Sequence, residues 1–178
     1  MTSQSTEQHR DEAQRLAPVR VAIFTISDSR TPETDKSGTI IRELIEAGGH
    51  SVAHYEILKD EPERIRESAL RQISTDSVDV ILCNGGTGIT PRDGTFEAMD
   101  SLIERPLPGF GELFRVLSWQ EVGAASMLSR ATAGVRGRTL LFCMPGSANA
   151  VHLAMTKLIL PEIKHLVYEM RGVRERCR

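Results

Sequence analysis

Two nearly unbroken apolar runs constrain the fold of this chain most. VRVAIFTIS (19–27) and VDVILCN (78–84) are short, rich in β-branched side chains, and lack the alternation of a strand with one wet face. Such runs read as strands covered on both sides. Amphipathic stretches of helical period separate them. In TIIRELIEAGG, Ile40, Ile41, Leu44 and Ile45 share a face, and Gly48-Gly49 ends it. HSVAHYEILKD is a strand ending at Lys59-Asp60. EPERIRESALRQI is a helix with Pro62 in its first turn and Ile65, Ala69, Leu70 and Ile73 facing inward. After VDVILCN, helices are expected from about Thr95 to Ile103 and in GELFRVLSW, where Leu113, Val116 and Leu117 take one side. Two strands flank the turn Arg136-Gly137-Arg138. SANAVHLAMTKLIL is then a helix with Val151, Ala154, Met155 and Leu158 inside, broken at Pro161, and EIKHLVYEMR is a last helix.

Strand and helix in alternation mean parallel strands joined by right-handed crossovers. The expected fold class is α/β, a three-layer sandwich with a mostly parallel central sheet. The expected organisation is a disordered polar tail over 1–17, one domain over 18–172 and a charged tail over 173–178.

Composition narrows the function. Lys and Arg number 22 and Asp and Glu 24, a net charge of −2, so no basic field is available to grip nucleic acid. Aromatics are only 4%, too few for base-stacking platforms. The N-terminal stretch has no apolar core of a secretory signal, and no run approaches membrane-spanning length. Cys83, Cys143 and Cys177 are scattered, and the five histidines form no HxH or HExxH pattern, which argues against zinc. A cytoplasmic location is expected.

In open α/β sheets, ligands bind outside the carboxyl ends of the strands. Topology therefore delivers SDSR, NGGTGITPRD and MPGSANA to one rim, with Asp60 at the end of the second strand. Gly85, Gly86 and Gly88 expose backbone N–H groups, which in such loops bind anions. Gly146 and Ser147 open a helix directly after a strand, and Ser37-Gly38 stands at the start of the first helix; both are further candidate cradles. Ser147 also suits a plain N-cap. The glycine spacing matches neither GxxxxGK[ST] nor GxGxxG. Arg92 offers a fork for a phosphate. Asp93 beside it suits an anion site if a divalent metal lies between, and Asp60 could supply a second oxygen ligand. Equally, Asp60 and Asp93 could each cap the helix that follows it.

These residues also carry a resemblance. TISDSR, GGTGITPRDGTFEA, PGFGELFR, LSRATAG and MPGSANAV, in that order from about Val19 to Glu169, resemble the MoaB/MogA family of molybdenum cofactor biosynthesis, the MoaB branch in particular. The resemblance implies the molybdopterin-binding fold, assembled as a homo-oligomer, a trimer or dimer of trimers. It implies that molybdopterin and ATP are substrates, with Mg²⁺ as cofactor, in adenylyl transfer to the terminal phosphate with release of pyrophosphate. The alternative is a non-catalytic molybdopterin carrier or scaffold for other proteins of the same pathway. By resemblance Asp60 and Asp93 are the catalytic and metal-positioning residues. Ser27, Asp28, Ser37, Gly38, Gly85, Gly86, Thr87 and Gly88 line the substrate pocket with Arg92, and Pro145, Gly146 and Ser147 form a second cradle. Ser129-Arg130 falls near the rim. Gly94 departs from the family pattern, where a larger residue is common.

Overall fold

The computed structural model describes residues 10–172. A six-stranded sheet runs β1 (Arg20–Ile26), β2 (Ser51–Leu58), β3 (Val80–Asn84), β4 (Arg105–Pro106), β5 (Thr132–Arg136) and β6 (Thr139–Met144) in chain order. In space the order is β2-β1-β3-β6-β5-β4. The pairs β1–β2, β1–β3 and β3–β6 are parallel. β5 and β4 close the far edge antiparallel. Helices α1 (Lys36–Ala47), α2 (Pro62–Ser74), α3 (Thr95–Asp100), α4 (Pro108–Val122), α5 (Ala148–Ala154) and α6 (Leu160–Arg171) pack on the two faces.

The apolar runs behave as strands between two helical layers. Val21 and Ile23 of β1, Val80 and Leu82 of β3, and Leu140, Phe142 and Met144 of β6 face a core shared with α1, α4, α5 and α6. The alternate residues Ala22, Phe24, Ile81, Cys83, Leu141 and Cys143 face a second core with Ile65 and Ala69 of α2 and Ala98 and Met99 of α3. The mostly parallel three-layer sandwich is thus present. The β3–β6 register sets the buried, free Cys83 opposite Cys143. Cys177 lies outside the described residues.

Several local expectations are corrected. Residues 10–14, read as part of a polar tail, are helical, and Ala13 is fully buried. Arg10 pairs with Glu162 there, and the Tyr168 hydroxyl donates to Glu12. Residues 1–9 and 173–178 lie outside the described residues. The strand β4 was not anticipated, because two residues carry no period. Leu70 is exposed, and Ser68 takes the inward place on α2. On α4 the inner face is Phe110, Phe114 and the partly buried Leu117, while Leu113 and Val116 are more than half exposed. Pro161 does not break the C-terminal helix. Met155–Ile159 widens into a π turn, and helix continues directly into α6. A proline removes one N–H and presses its ring on the preceding turn; an inserted π turn loosens that turn and lets the axis run on.

Candidate functional site at the strand ends

Where β1, β3 and β6 end, their loops enclose a cleft of about 550 Å³. Ser27 lines it from the first loop. Gly85, Gly86, Thr87, Gly88 and Asp93 line it from the second, and Pro145, Gly146 and Ser147 from the third. The loops touch through backbone. A Cβ on Gly146 would sit 2.8 Å from Gly85 Cα. Gly85 N–H donates to the Met144 carbonyl at 3.1 Å, so the two glycine segments are closed on each other.

Gly86 is the hinge between cleft and carboxylates. Its φ is +60°, in the left-handed region that favours glycine. A side chain there would collide with Asp60 Oδ2 and Thr95 Oγ1. Asp60 therefore lies directly behind the glycine loop, though it does not line the cleft. Its Oδ1 accepts from Gly94 N at 3.2 Å and from Thr95 Oγ1 at 3.1 Å. The capping expectation is corrected here: Asp60 serves the start of α3, not of α2, whose cap Glu61 makes no side-chain cap bond. Gly94 now has an account. A Cβ on it would meet Pro62 Cγ at 2.6 Å, and its bare backbone lets N–H reach Asp60. Burial pushes the Asp60 carboxyl up, and the charges of Asp93 and Asp28 push the same way.

Asp93 closes a small turn rather than capping α3. Its Oδ2 accepts from Thr90 N at 2.9 Å and Thr90 Oγ1 at 2.6 Å. The Thr90 bonds hold its carboxyl below the usual range. A Cβ on Gly88 would sit 2.6 Å from Asp93 Oδ2, so this glycine too makes room for a carboxylate.

Besides Asp60, four candidate residues do not line the cleft. Arg92 donates to Asp28 Oδ2 at 2.7 Å, an exposed pair bridging the first and second loops. Ser37 and Gly38 are buried behind the wall. The start of α1 already holds its own anion. Asp35 is its cap and accepts from Gly38 N at 3.0 Å and from Tyr55 OH at 2.8 Å. Burial raises the Asp35 carboxyl, but bonds from Gly38, Thr25, Tyr55 and Ser37 outweigh it and hold it below the usual range. Its partner Tyr55 is pushed up to about 12, by burial first and then by Asp35. Ser37 Oγ lies 2.8 Å from Asn84 Oδ1, and Asn84 Nδ2 donates to the Phe24 carbonyl, so the network reaches β1 and β3.

Two arginines organise the loops: Arg30, which sequence reasoning missed, and Arg130, which was expected near the rim but with no partner named. Arg30 lines the cleft; it donates to Asp35 at 3.3 Å, to Ser37 Oγ, and to the Gly146 carbonyl at 3.2 Å. It ties the first loop to the third. Arg130 donates to the Thr87 carbonyl at 2.9 Å, pairs with Glu97 and lies over the Phe96 ring. It ties the glycine loop to α3. The signals were faint: Arg30 is the fourth residue of SDSR, and Asp35 precedes a helix at capping distance from Gly38. Leu128 and Ser129 complete the wall. Ser147 lines the cleft and also caps α5, its Oγ accepting from Ala150 N at 3.3 Å.

Comparison with known proteins shows the family. The family described as the probable molybdopterin binding domain matches residues 22–165. Over 167 residues the chain is 50% identical to molybdenum cofactor biosynthesis protein B of Bacillus cereus, covering 93% of this chain and 98% of that one. The chain belongs to the MoaB family. A crystal structure of a molybdenum cofactor biosynthesis protein B superposes with a TM-score of 0.85 at 52% identity, covering 88% of this chain and 98% of that one. The molybdopterin biosynthesis enzyme MoaB of Thermus thermophilus superposes with a TM-score of 0.76 at 37% identity, covering 87% and 98%. The matched domain of this MoaB family member takes in all three cleft loops and Asp60.

Proposed function

We propose that this chain binds molybdopterin in the cleft and adenylylates its terminal phosphate with ATP, releasing pyrophosphate, in the cytoplasm. One observation carries the reading. Three strand-end loops put two backbone cradles, Arg30 and Asp93 around one cleft, with Asp60 directly behind Gly86. The attacking group is a phosphate monoester, largely dianionic near neutrality. It needs alignment and relief from repulsion by the ATP phosphates more than it needs a base. Gly85 N–H is taken by the Met144 carbonyl and Gly88 N–H by Asp93, so the N–H groups of Gly86 and Thr87 and of the Gly146 segment would supply the fixed donors, and Arg30 a guanidinium.

The residues fit a Mg²⁺ ion shared with phosphates. Among the described residues no three His, Cys, Asp or Glu side chains gather to hold a metal alone. Mg²⁺ commonly takes one or two carboxylates and completes its shell with water and phosphate oxygens. The mutual repulsion of Asp60, Asp93 and Asp28 is what a cation there would relieve. Asp60 and Asp93 would hold it, and it would supply neutralisation of the phosphate charge. In the open loop, Asp93 and Asp60 keep those oxygens positioned through Thr90, Gly94 and Thr95.

The same bonds favour a second reading. Both carboxylates already serve the loop, so a protein that carries molybdopterin without turnover, or scaffolds the pathway, would also retain them. Pyrophosphate release separates the two. With molybdopterin, ATP and Mg²⁺, the wild-type chain releases pyrophosphate and Asp93→Ala does not, while circular dichroism and oligomer size stay unchanged. Molybdopterin binding with no release above background in the wild type rejects the transferase and leaves the carrier.

We further propose assembly as a homo-oligomer, a trimer or dimer of trimers. Leu113, Val116, Trp119 and Val122 of α4, with Met127 beyond it, are all more than half exposed. A run of that kind is what a subunit contact covers.

A further inference from the structure

A second cavity, of about 180 Å³, opens beside the start of β2, at the opposite ends of the strands from the cleft. Arg10 and Gln14 of the N-terminal turn, His50 of the α1–β2 turn, and Lys164 and His165 of α6 form its polar wall. Among the described residues that wall carries four basic side chains and no carboxylate.

The hydrogen bonds show which donors remain. Val19 N–H donates to His50 Nδ1 at 3.3 Å. The imidazole proton therefore sits on Nε2, which is a donor. Lys164 Nζ donates to the carbonyls of Gln14 at 3.1 Å and Leu16 at 3.3 Å. An ammonium has three N–H bonds, so one is left. Among the described residues Lys164 has no carboxylate partner, only these carbonyls. Arg10 pairs with Glu162, and a guanidinium has five N–H donors, so that contact does not exhaust it. His165 Nδ1 lies 2.8 Å from Glu162 Oε2, and its Nε2 lies 3.8 Å from Glu169 Oε1. Glu162 thus contacts Arg10 and His165 from outside the wall, and among the described residues no carboxylate compensates Lys164.

We propose that this cavity binds a tetrahedral oxyanion of the phosphate or sulfate class, gripped by Lys164, Arg10 and the Nε2–H of His50. The ion has five heavy atoms, and the space equals about six water volumes at roughly 30 Å³ each, enough for the ion and a few bridging waters. Charge-assisted bonds from Lys and Arg are the strong ones for such ligands. Burial first, then the Lys164 charge, hold the His50 imidazole below its ordinary value, and a bound anion would offset the second of these. Occupancy fastens residues 10–14 to α6 and to the α1–β2 turn. The inference is independent of the reaction assigned to the cleft.

The test uses the full-length chain. The ring ¹H–¹³C resonances of His50 and His165 are followed by NMR during titration with inorganic phosphate, sulfate and glycerol phosphate, against chloride at matched ionic strength. Saturable shifts of both rings with phosphate or sulfate, weakened about tenfold or more in Lys164→Gln, support the site. The same variant should keep the wild-type rate of pyrophosphate release. Glycerol phosphate binding equally well identifies a site for phosphomonoesters; its exclusion identifies one for the free ion. Shifts that chloride reproduces, saturable shifts confined to resonances of the cleft, or unchanged affinity in Lys164→Gln would overturn the proposal. The wild-type titration alone decides the matter if the variant does not fold.

Discussion

Asp35 shows what a single buried carboxylate does here. It is 1% exposed and accepts from a backbone amide, a tyrosine and an arginine at once. Its folded value lies below its ordinary one, so the folded chain binds fewer protons there than the unfolded chain. That stability is present in full above the ordinary carboxyl value of about 4 and is lost as pH falls through the folded value. Asp35→Asn should lower stability at pH 7 by about 2 kcal/mol, given charge-assisted bonds of roughly 1.5–3 kcal/mol. For a domain of this size that is roughly 4–8 °C in thermal midpoint. The gap should narrow on acidification, and calorimetry at a series of pH values measures it. Asp60 has the opposite sign, its carboxyl raised mainly by burial. Its charge is a cost to the fold that grows as pH rises through its ordinary value and levels off above the raised one. Asp60→Asn should therefore be at least as stable as wild type at pH 8 by thermal melting, while losing pyrophosphate release.

The elements were legible in proportion to how regular they are. VRVAIFTIS and VDVILCN are β1 and β3 because continuous β-branched runs have few other stable fates between two helical layers. What escaped depends on partners distant in the chain. Arg30 meets Gly146 across 116 positions and Arg130 meets Thr87 across 43, and no local pattern encodes either contact. The inner face of α4 was misread because helical period fixes a stripe's width, not which apolar flank faces the sheet. The π turn escaped because it is a response to Pro161, not a pattern of its own. At this scale the contact between the β3 and β6 loops is testable. Gly146→Val places a branched side chain against Gly85 backbone, a contact already at 2.8 Å for Cβ alone. Overpacking of this kind costs about 1–3 kcal/mol. Affinity for molybdopterin, measured by calorimetry, should fall much further than the thermal midpoint does, because the displaced backbone is the cradle itself.

For the whole molecule, α4 is where a second copy is expected. Trp119 is 59% exposed in the middle of an apolar row. Trp119→Glu would place a charge in the centre of that contact, and sedimentation velocity should show smaller species than wild type. A wild-type monomer at micromolar concentration would remove the assembly proposal.

The segment that follows α4 joins this outer row to the cleft. A single 3₁₀ stretch, Gly123–Leu128, starts beside Val122 and ends in Leu128, whose neighbour Ser129 also walls the cleft. A neighbour leaning on that stretch would brace the cleft from outside. Dilution should then act as a brake: output per chain climbs with total concentration and flattens once every stretch is braced, and the Trp119→Glu protein stays on the low plateau throughout.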